Sequence, residues 1–389
     1  MHSERRAVRF ALVALIGAAG LAACGGGDGG PSAEDKQEVV EHYATGVHAA
    51  YEESLAAARA MDEAIDTFVA DPTNETLDAA KQAWLAARDD YGLTEAFRFY
   101  GGPIDDEETG PEGLINAWPL DEAYVDYVEG DETAGIVNDP DAYPTIDAEL
   151  ITSLNEQGGE ANISTGWHAI EFLLWGQDLS ADGPGVRPVV DYTDAANADR
   201  RLTYLSATSD LLLEHLNSLV EAWAPDAANY RAEFVAQEPD AALVDIITGV
   251  GELTRGELAG ERMSVAYEER SQEDEHSCFS DNTTADLVAN ERGIEMVITG
   301  SYPGADKGPG LMALFEAADE DAASGLRSSV SAAVAALEAI PAPFDQHLAD
   351  GVPDDDPGRA SVLAGIEALE VQADDIVGAA ESIGVTVEV

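Results

Sequence analysis

From Val40 through Tyr43, Val47, Tyr51, Leu55, Ala58, Met61 and Ile65 to Phe68, apolar residues recur at intervals of three and four. That spacing places all of them on one buried face of a single long helix. Asp71-Pro72-Thr73-Asn74 breaks the helix and starts another. The second helix carries Leu77, Ala80, Trp84, Ala87 and Tyr91 as its stripe. The same period returns at Leu205, Leu212, Leu216, Leu219 and Trp223, then at Ile246, Val250, Leu253 and Glu257. It appears again at Val362, Ile366, Leu369, Ile376 and Ile383. No stretch alternates with period two, so the expected fold class is all-α.

Irregular stretches divide the helices. Leu179 to Ala198, with Asp182-Gly183-Pro184-Gly185 and Pro188, reads as a long loop or linker, and Gly300 to Gly310 as a second irregular stretch. The N-terminus reads as a processing signal. Arg5, Arg6 and Arg9 precede an apolar run from Phe10 to Leu21, too short for a spanning helix of roughly 20 residues. Leu21-Ala22-Ala23-Cys24 has the form of a lipobox, and Gly25 to Pro31 supplies a tether. The expected organisation is a signal peptide over 1–23 and a lipid anchor at Cys24 with tether over 24–34. A helical bundle follows over 35–185, and a second over 186–389. With Cys24 acylated, Cys278 is the remaining cysteine, leaving no intrachain disulfide and a structural role for a buried thiol.

Seventy-seven acidic residues face nineteen basic ones, for a formal net charge of −58. Phosphate binding requires basic patches, so nucleic acid is excluded as a partner. Dense acidity with only Lys36, Lys81 and Lys307 as lysines points to a saline habitat, where screening relieves self-repulsion.

The chemistry concentrates in Asn162-Ile163-Ser164-Thr165-Gly166-Trp167-His168-Ala169-Ile170-Glu171. His168 and Glu171 lie three apart, share one helix face and are positioned to bind one cation together. Ser164 or Thr165 is the expected cap, and Gly166 permits close approach of backbone or metal. The surrounding Trp and Leu residues imply that this pair is buried and needs partners. A second cluster holds Glu275, His276 and Asp281, together with Glu273, Asp274, Cys278 and Asn282. It reads either as a second metal or substrate surface, or as a capped helix boundary. His42, His48 and His215 read as ordinary core or surface histidines. Trp118, Trp167, Trp175 and Trp223 read as core, with Trp167 a possible cleft wall.

Gly166, His168 and Glu171 match the GxHxxE motif of the imelysin-like family, which is also classed with the M75 peptidases. Trp84 to Asp105, Asn116 to Glu122 and the run through Trp175-Gly176-Gln177-Asp178 are similar to that family as well. Glu273 to Asn282 (EDEHSCFSDN) resembles its iron-regulated protein A-like subgroup. The resemblance implies two helical-bundle domains with the motif in a cleft near their junction. It also implies a metal site of His168, Glu171, Glu95 and Asp105, although no proline follows Glu95 here. One imidazole and three carboxylates suit iron, divalent or ferric, with zinc as the alternative.

The expected function is that of an extracytoplasmic lipoprotein, membrane-anchored through Cys24, that binds a metal cation in iron uptake beside a transport partner. A metallopeptidase of the M75 type is the alternative. Against it, neither His-Glu-x-x-His nor His-x-x-Glu-His is present, position 172 being Phe. A third class, a cation-bridged polysaccharide-binding lipoprotein, has to contend with the charge.

Overall fold

The computed structural model describes residues 30–180, 182–349 and 351–389. The signal segment 1–23 and Cys24 lie outside the described residues. Helix α1 (Ala33–Ala70) starts under a capping box in which Ser32 Oγ accepts from the Asp35 N–H and the Asp35 carboxylate accepts from the Ser32 N–H. It begins two residues before the expected domain boundary. Every member of its sequence stripe from Val40 to Phe68 is buried. Thr73 and Thr76 form the equivalent box for α2 (Asn74–Gly92).

Helices α3 (Gly166–Trp175) and α4 (Ala198–Trp223) complete a first group. Helix α1 packs along both α2 and α4, and α3 packs against α2 and α4. The α4 helix therefore layers onto α1, although it follows the boundary placed at 185/186. Its Trp223 meets Tyr43 of α1 edge to face, with ring centroids 6.1 Å apart.

A second group contains α5 (Pro239–Glu252), α6 (Thr283–Thr299), α7 (Glu320–Glu338) and α8 (Pro357–Ser382). Helix α8 packs on α7 and on the continuation of α5. The two groups meet where α2 and the 3-10 turn Leu93–Phe97 lie against α6. The buried apolar side chains of both groups form one continuous core. No strand occurs among the described residues, and no helix there is long and apolar enough to cross a membrane.

Beyond Glu252, α5 does not stop but widens into a π-helix over Leu253–Ser264, where side chains five apart come into line. Glu257 and Arg262 are such a pair, with Arg262 Nε donating to Glu257 Oε1 at 2.9 Å. The wider turn carries Arg262 toward the junction of the two groups.

The stretch from 179 to 198 is irregular, as expected, yet it is docked rather than free. Gly185 N–H donates to Phe279 O at 2.9 Å, and the buried Arg187 pairs with Asp126 at 2.5 Å. Asp126 also receives Arg201 at 2.5 Å. Burial acts to raise the Asp126 carboxyl, and the two guanidinium groups hold it below its ordinary value.

Candidate metal centre

Helix α3 is buried on all sides, from Gly166 to Trp175. Gly166 has φ of +80°, and a Cβ there would stand 2.3 Å from the carbonyl oxygen of Ile115. Only glycine lets the helix begin so close to that backbone. The expected side-chain cap is absent: Thr165 holds the N-cap position without capping. Ser164 Oγ donates instead to Ile151 O at 2.7 Å, fixing the entry to α3 on the short helix Ala148–Leu154.

One turn into α3, His168 Nδ1 lies 2.9 Å from Glu171 Oε2, with both side chains fully enclosed. The other oxygen of Glu171 accepts twice from Ser280, from the backbone N–H at 2.9 Å and from the hydroxyl at 2.6 Å. Burial pushes the Glu171 carboxyl up to about 8, against the pull of Ser280. Burial, followed by the charge of Arg88, holds His168 well below its ordinary value, so the imidazole is neutral. Its Nε2 is buried and has no hydrogen-bond partner.

His276 stands edge-on to His168, with ring centroids 4.9 Å apart. Its Nδ1 lies 3.1 Å from Asp286 Oδ2. Burial brings His276 down to about 4. Burial acts to raise Asp286, and Arg88 together with His276 and Ser277 outweighs it, keeping the carboxylate ionised. Arg88 donates to both oxygens of Asp286 and to Asn116 Oδ1 at 2.5 Å, and its guanidinium lies 5.9 Å from the Trp167 ring centre. Two histidines thus sit side by side, each with a carboxylate on its Nδ1.

A cleft of about 330 Å³ opens beside them, lined in part by Trp118, His276, Arg98, Arg262, Glu112 and Glu257. Trp118, expected in the core, is half-buried and forms the cleft wall, its ring centre 4.8 Å from that of His168. Trp167 is core, as expected, and the cleft-wall alternative is not realised.

Glu95 and Asp105 are engaged elsewhere. Arg98 reaches Glu95 at 3.0 Å and Asp105 at 3.3 Å, and Arg262 reaches Glu95 at 2.5 Å. Asp105 also accepts from the Phe99 N–H at 2.5 Å. Burial acts to raise Glu95, yet Arg98 and Arg262 hold it far below its ordinary value. One oxygen of Glu95 remains buried and unpartnered. The four residues His168, Glu171, Glu95 and Asp105 do not form a common set of close donors in this structure. Among the described residues, the group of three whose ligand atoms fall within 4.8 Å of one another is Glu275, Asp281 and Asp345.

The second sequence cluster divides accordingly: His276 joins His168, while Glu275 and Asp281 turn toward Asp345. The capping alternative is not realised, since Asn282 occupies the N-cap of α6 without a side-chain cap bond. Cys278 is buried, as expected of a structural thiol.

Several residues of the centre carry no motif. Arg88 had a signal, being an arginine in line with Trp84 and Tyr91 on the buried stripe of α2. Ser280 lies within the quoted EDEHSCFSDN run, but nothing there indicates that it serves Glu171. Asp345 and Arg262 carry no local signal, because folding alone brings them in.

The model of the imelysin family, Peptidase M75, matches residues 47–376. The chain belongs to the imelysin family. Among imelysin relatives, the iron-regulated protein A of Synechococcus elongatus is 28% identical over 335 residues, covering 84% of this chain and 80% of that one. A candidate iron-regulated protein A precursor from Parabacteroides distasonis shares the fold with a TM-score of 0.71 at 18% identity, covering 91% of this chain and 96% of that one. An imelysin-like protein from Psychrobacter arcticum has a TM-score of 0.64 at 15% identity, over 92% and 98% of the two chains. The imelysin fold thus extends over nearly all the described residues, with the GxHxxE helix at its centre.

Proposed function

We propose that the cleft beside α3 takes up a metal cation through His168, and that the protein serves iron uptake outside the cytoplasm. The observation that carries this reading is Nε2 of His168, which is buried and unpartnered on a ring held neutral by burial. A bound cation favours the ionised form of Glu171, which then accepts from Nδ1–H and fixes the tautomer that leaves the Nε2 lone pair available, as in metal-binding histidines generally. Glu171 then orients His168 and need not bind the cation itself. From Glu95, the unpartnered Oε1 is the available donor. For Asp105 to join, it must leave Arg98. Imidazole with carboxylate oxygen suits iron, with zinc as the alternative. Iron is favoured because two relatives are described as iron-regulated protein A. In this reading the cation is cargo, and Cys24 anchors the chain to a membrane near a transport partner.

The test is metal analysis of the purified chain beside His168→Ala and His215→Ala. His215 is a matched control, because its Nε2 is also buried and unpartnered but no carboxylate orients its ring. His168→Ala is expected to lose bound iron and His215→Ala to keep it. Full stoichiometry and affinity in His168→Ala would refute the assignment. Replacing Cys24 with Ser is expected to release the protein from the membrane fraction or to block its maturation.

A peptidase reading gains one observation, since His276 supplies beside His168 the second imidazole that the linear motif lacks. It requires metal-dependent cleavage of a protein substrate that disappears in His276→Ala.

A further inference from the structure

Three buried carboxylates at the heart of this molecule are matched by arginine: Asp126 by Arg187 and Arg201, Asp286 by Arg88, Glu95 by Arg98 and Arg262. Glu275, Asp281 and Asp345 break that pattern. Glu275 follows the 3-10 turn Gln272–Asp274, Asp281 has a left-handed φ of +57° just before α6, and Asp345 opens the 3-10 turn Asp345–His347. Three separate pieces of backbone therefore deliver one carboxylate each to a single point.

Each residue offers an oxygen that lies within 4.8 Å of the other two. All six oxygens are shielded from solvent, and none has a hydrogen-bond partner. Glu275 is completely enclosed and Asp345 is 1% exposed. Burial drives Glu275 well above its ordinary value, and Asp345, Asp281, Asp178 and Glu171 push it further in the same direction. Burial, then Asp345 and Asp178, raises Asp281 to about 7. The opposing influences all act on Asp345, first from the nearby backbone amides of Gln346 and Asp345 and then from His347. Three acids with no counter-charge would be costly to enclose, and a cation at their centre would remove that cost.

The chemistry specifies the cation. An ion held about 2.3–2.6 Å from each oxygen, the calcium distance, fits between oxygens that stand up to twice that far apart. The donors are all oxygen, and the neighbouring Cys278 is not among them, which favours a hard cation over zinc. Carboxylates on irregular backbone suit the variable coordination of calcium better than the strict octahedron of magnesium.

We propose that Glu275, Asp281 and Asp345 bind a calcium ion that fastens the 275–282 loop to the 345–347 turn. This site is separate from the His168 centre, and neither proposal depends on the other. The ion has a structural consequence for that centre, because the fastened loop carries Ser280, which holds Glu171, and His276, which lies against His168.

The test uses the full mature chain stripped with chelator and titrated with calcium in molar sodium chloride, which screens adventitious binding to the acidic surface. The wild type is expected to bind one calcium ion with a rise in melting temperature. Glu275→Gln and Asp345→Asn are expected to weaken binding by roughly a hundredfold or more. In the stripped state both variants should melt no lower than wild type, since each removes a buried acid; this also shows that they fold. His168→Ala should bind calcium normally, which separates this result from any failure of the iron proposal. Absence of calcium binding by the stripped wild type would overturn the site. So would calcium binding that persists in the Glu275→Gln/Asp345→Asn double variant, while equal affinity for magnesium would overturn the choice of ion.

Discussion

Ser280 gives both its backbone N–H and its hydroxyl to one oxygen of Glu171, a residue 109 positions earlier in the chain. The second half of the molecule thereby fixes the carboxylate that fixes His168. Replacing Ser280 with Ala removes the 2.6 Å hydroxyl bond and leaves the backbone one. A buried hydrogen bond contributes about 0.5–1.5 kcal/mol, so denaturant unfolding is expected to show a loss of that order. Metal affinity at His168 is expected to fall about 10–100-fold, as it does when an orienting partner is lost. A loss of stability without any loss of affinity would reduce Ser280 to a fastener of its own loop.

Glu291 provides a pH test away from both proposed metal sites. It is fully buried on α6 and accepts from Gln372 Nε2 at 3.2 Å, while its other oxygen has no partner. Burial raises its carboxyl well above the ordinary 4.5. A raised carboxyl binds its proton more tightly in the folded than in the unfolded state. Its stabilising contribution is therefore complete below about pH 4.5 and is lost as pH rises from there toward the folded value. Glu291→Gln should match wild type in acid and gain over it as pH increases, by a few degrees in melting temperature at neutral pH. A constant difference across the pH range would show that the proton on Glu291 does not contribute.

The acidic surface predicts a dependence on salt. Screening shortens from about 10 Å at 0.1 M to about 3 Å at 1 M, so repulsion among the carboxylates fades over that range. Melting temperature is expected to climb with sodium chloride into the molar range. A flat response, measured with calcium held constant, would remove the saline-habitat explanation for the charge.

The helices at the centre of the fold were legible in the sequence because period is a local property. The α1 stripe was buried in full, and α2, α4, α5 and α8 fell on the runs that marked them. Helices α6 and α7 were not singled out. The apolar residues of α6 are interrupted by Asp286, Asn290 and Glu291, polar groups whose burial is intelligible only once Arg88, Arg262 and Gln372 are in place. The same reason limits the site. His168 and Glu171 are one turn apart and announced themselves, whereas the roles of Glu95 and Asp105 turned on Arg98 and Arg262. One of those arginines, Arg262, lies on a π-helix that no local pattern announces. Asp345 lies 64 positions beyond Asp281 in a turn without any motif.

Six of the thirteen arginines among the described residues, Arg88, Arg98, Arg187, Arg201, Arg262 and Arg359, are buried. All but Arg359 pair with buried carboxylates, and much of the excess negative charge belongs to the exterior. Exchanging outward carboxylates for neutral or basic residues would therefore change the net charge while leaving these arginine-braced pairs intact.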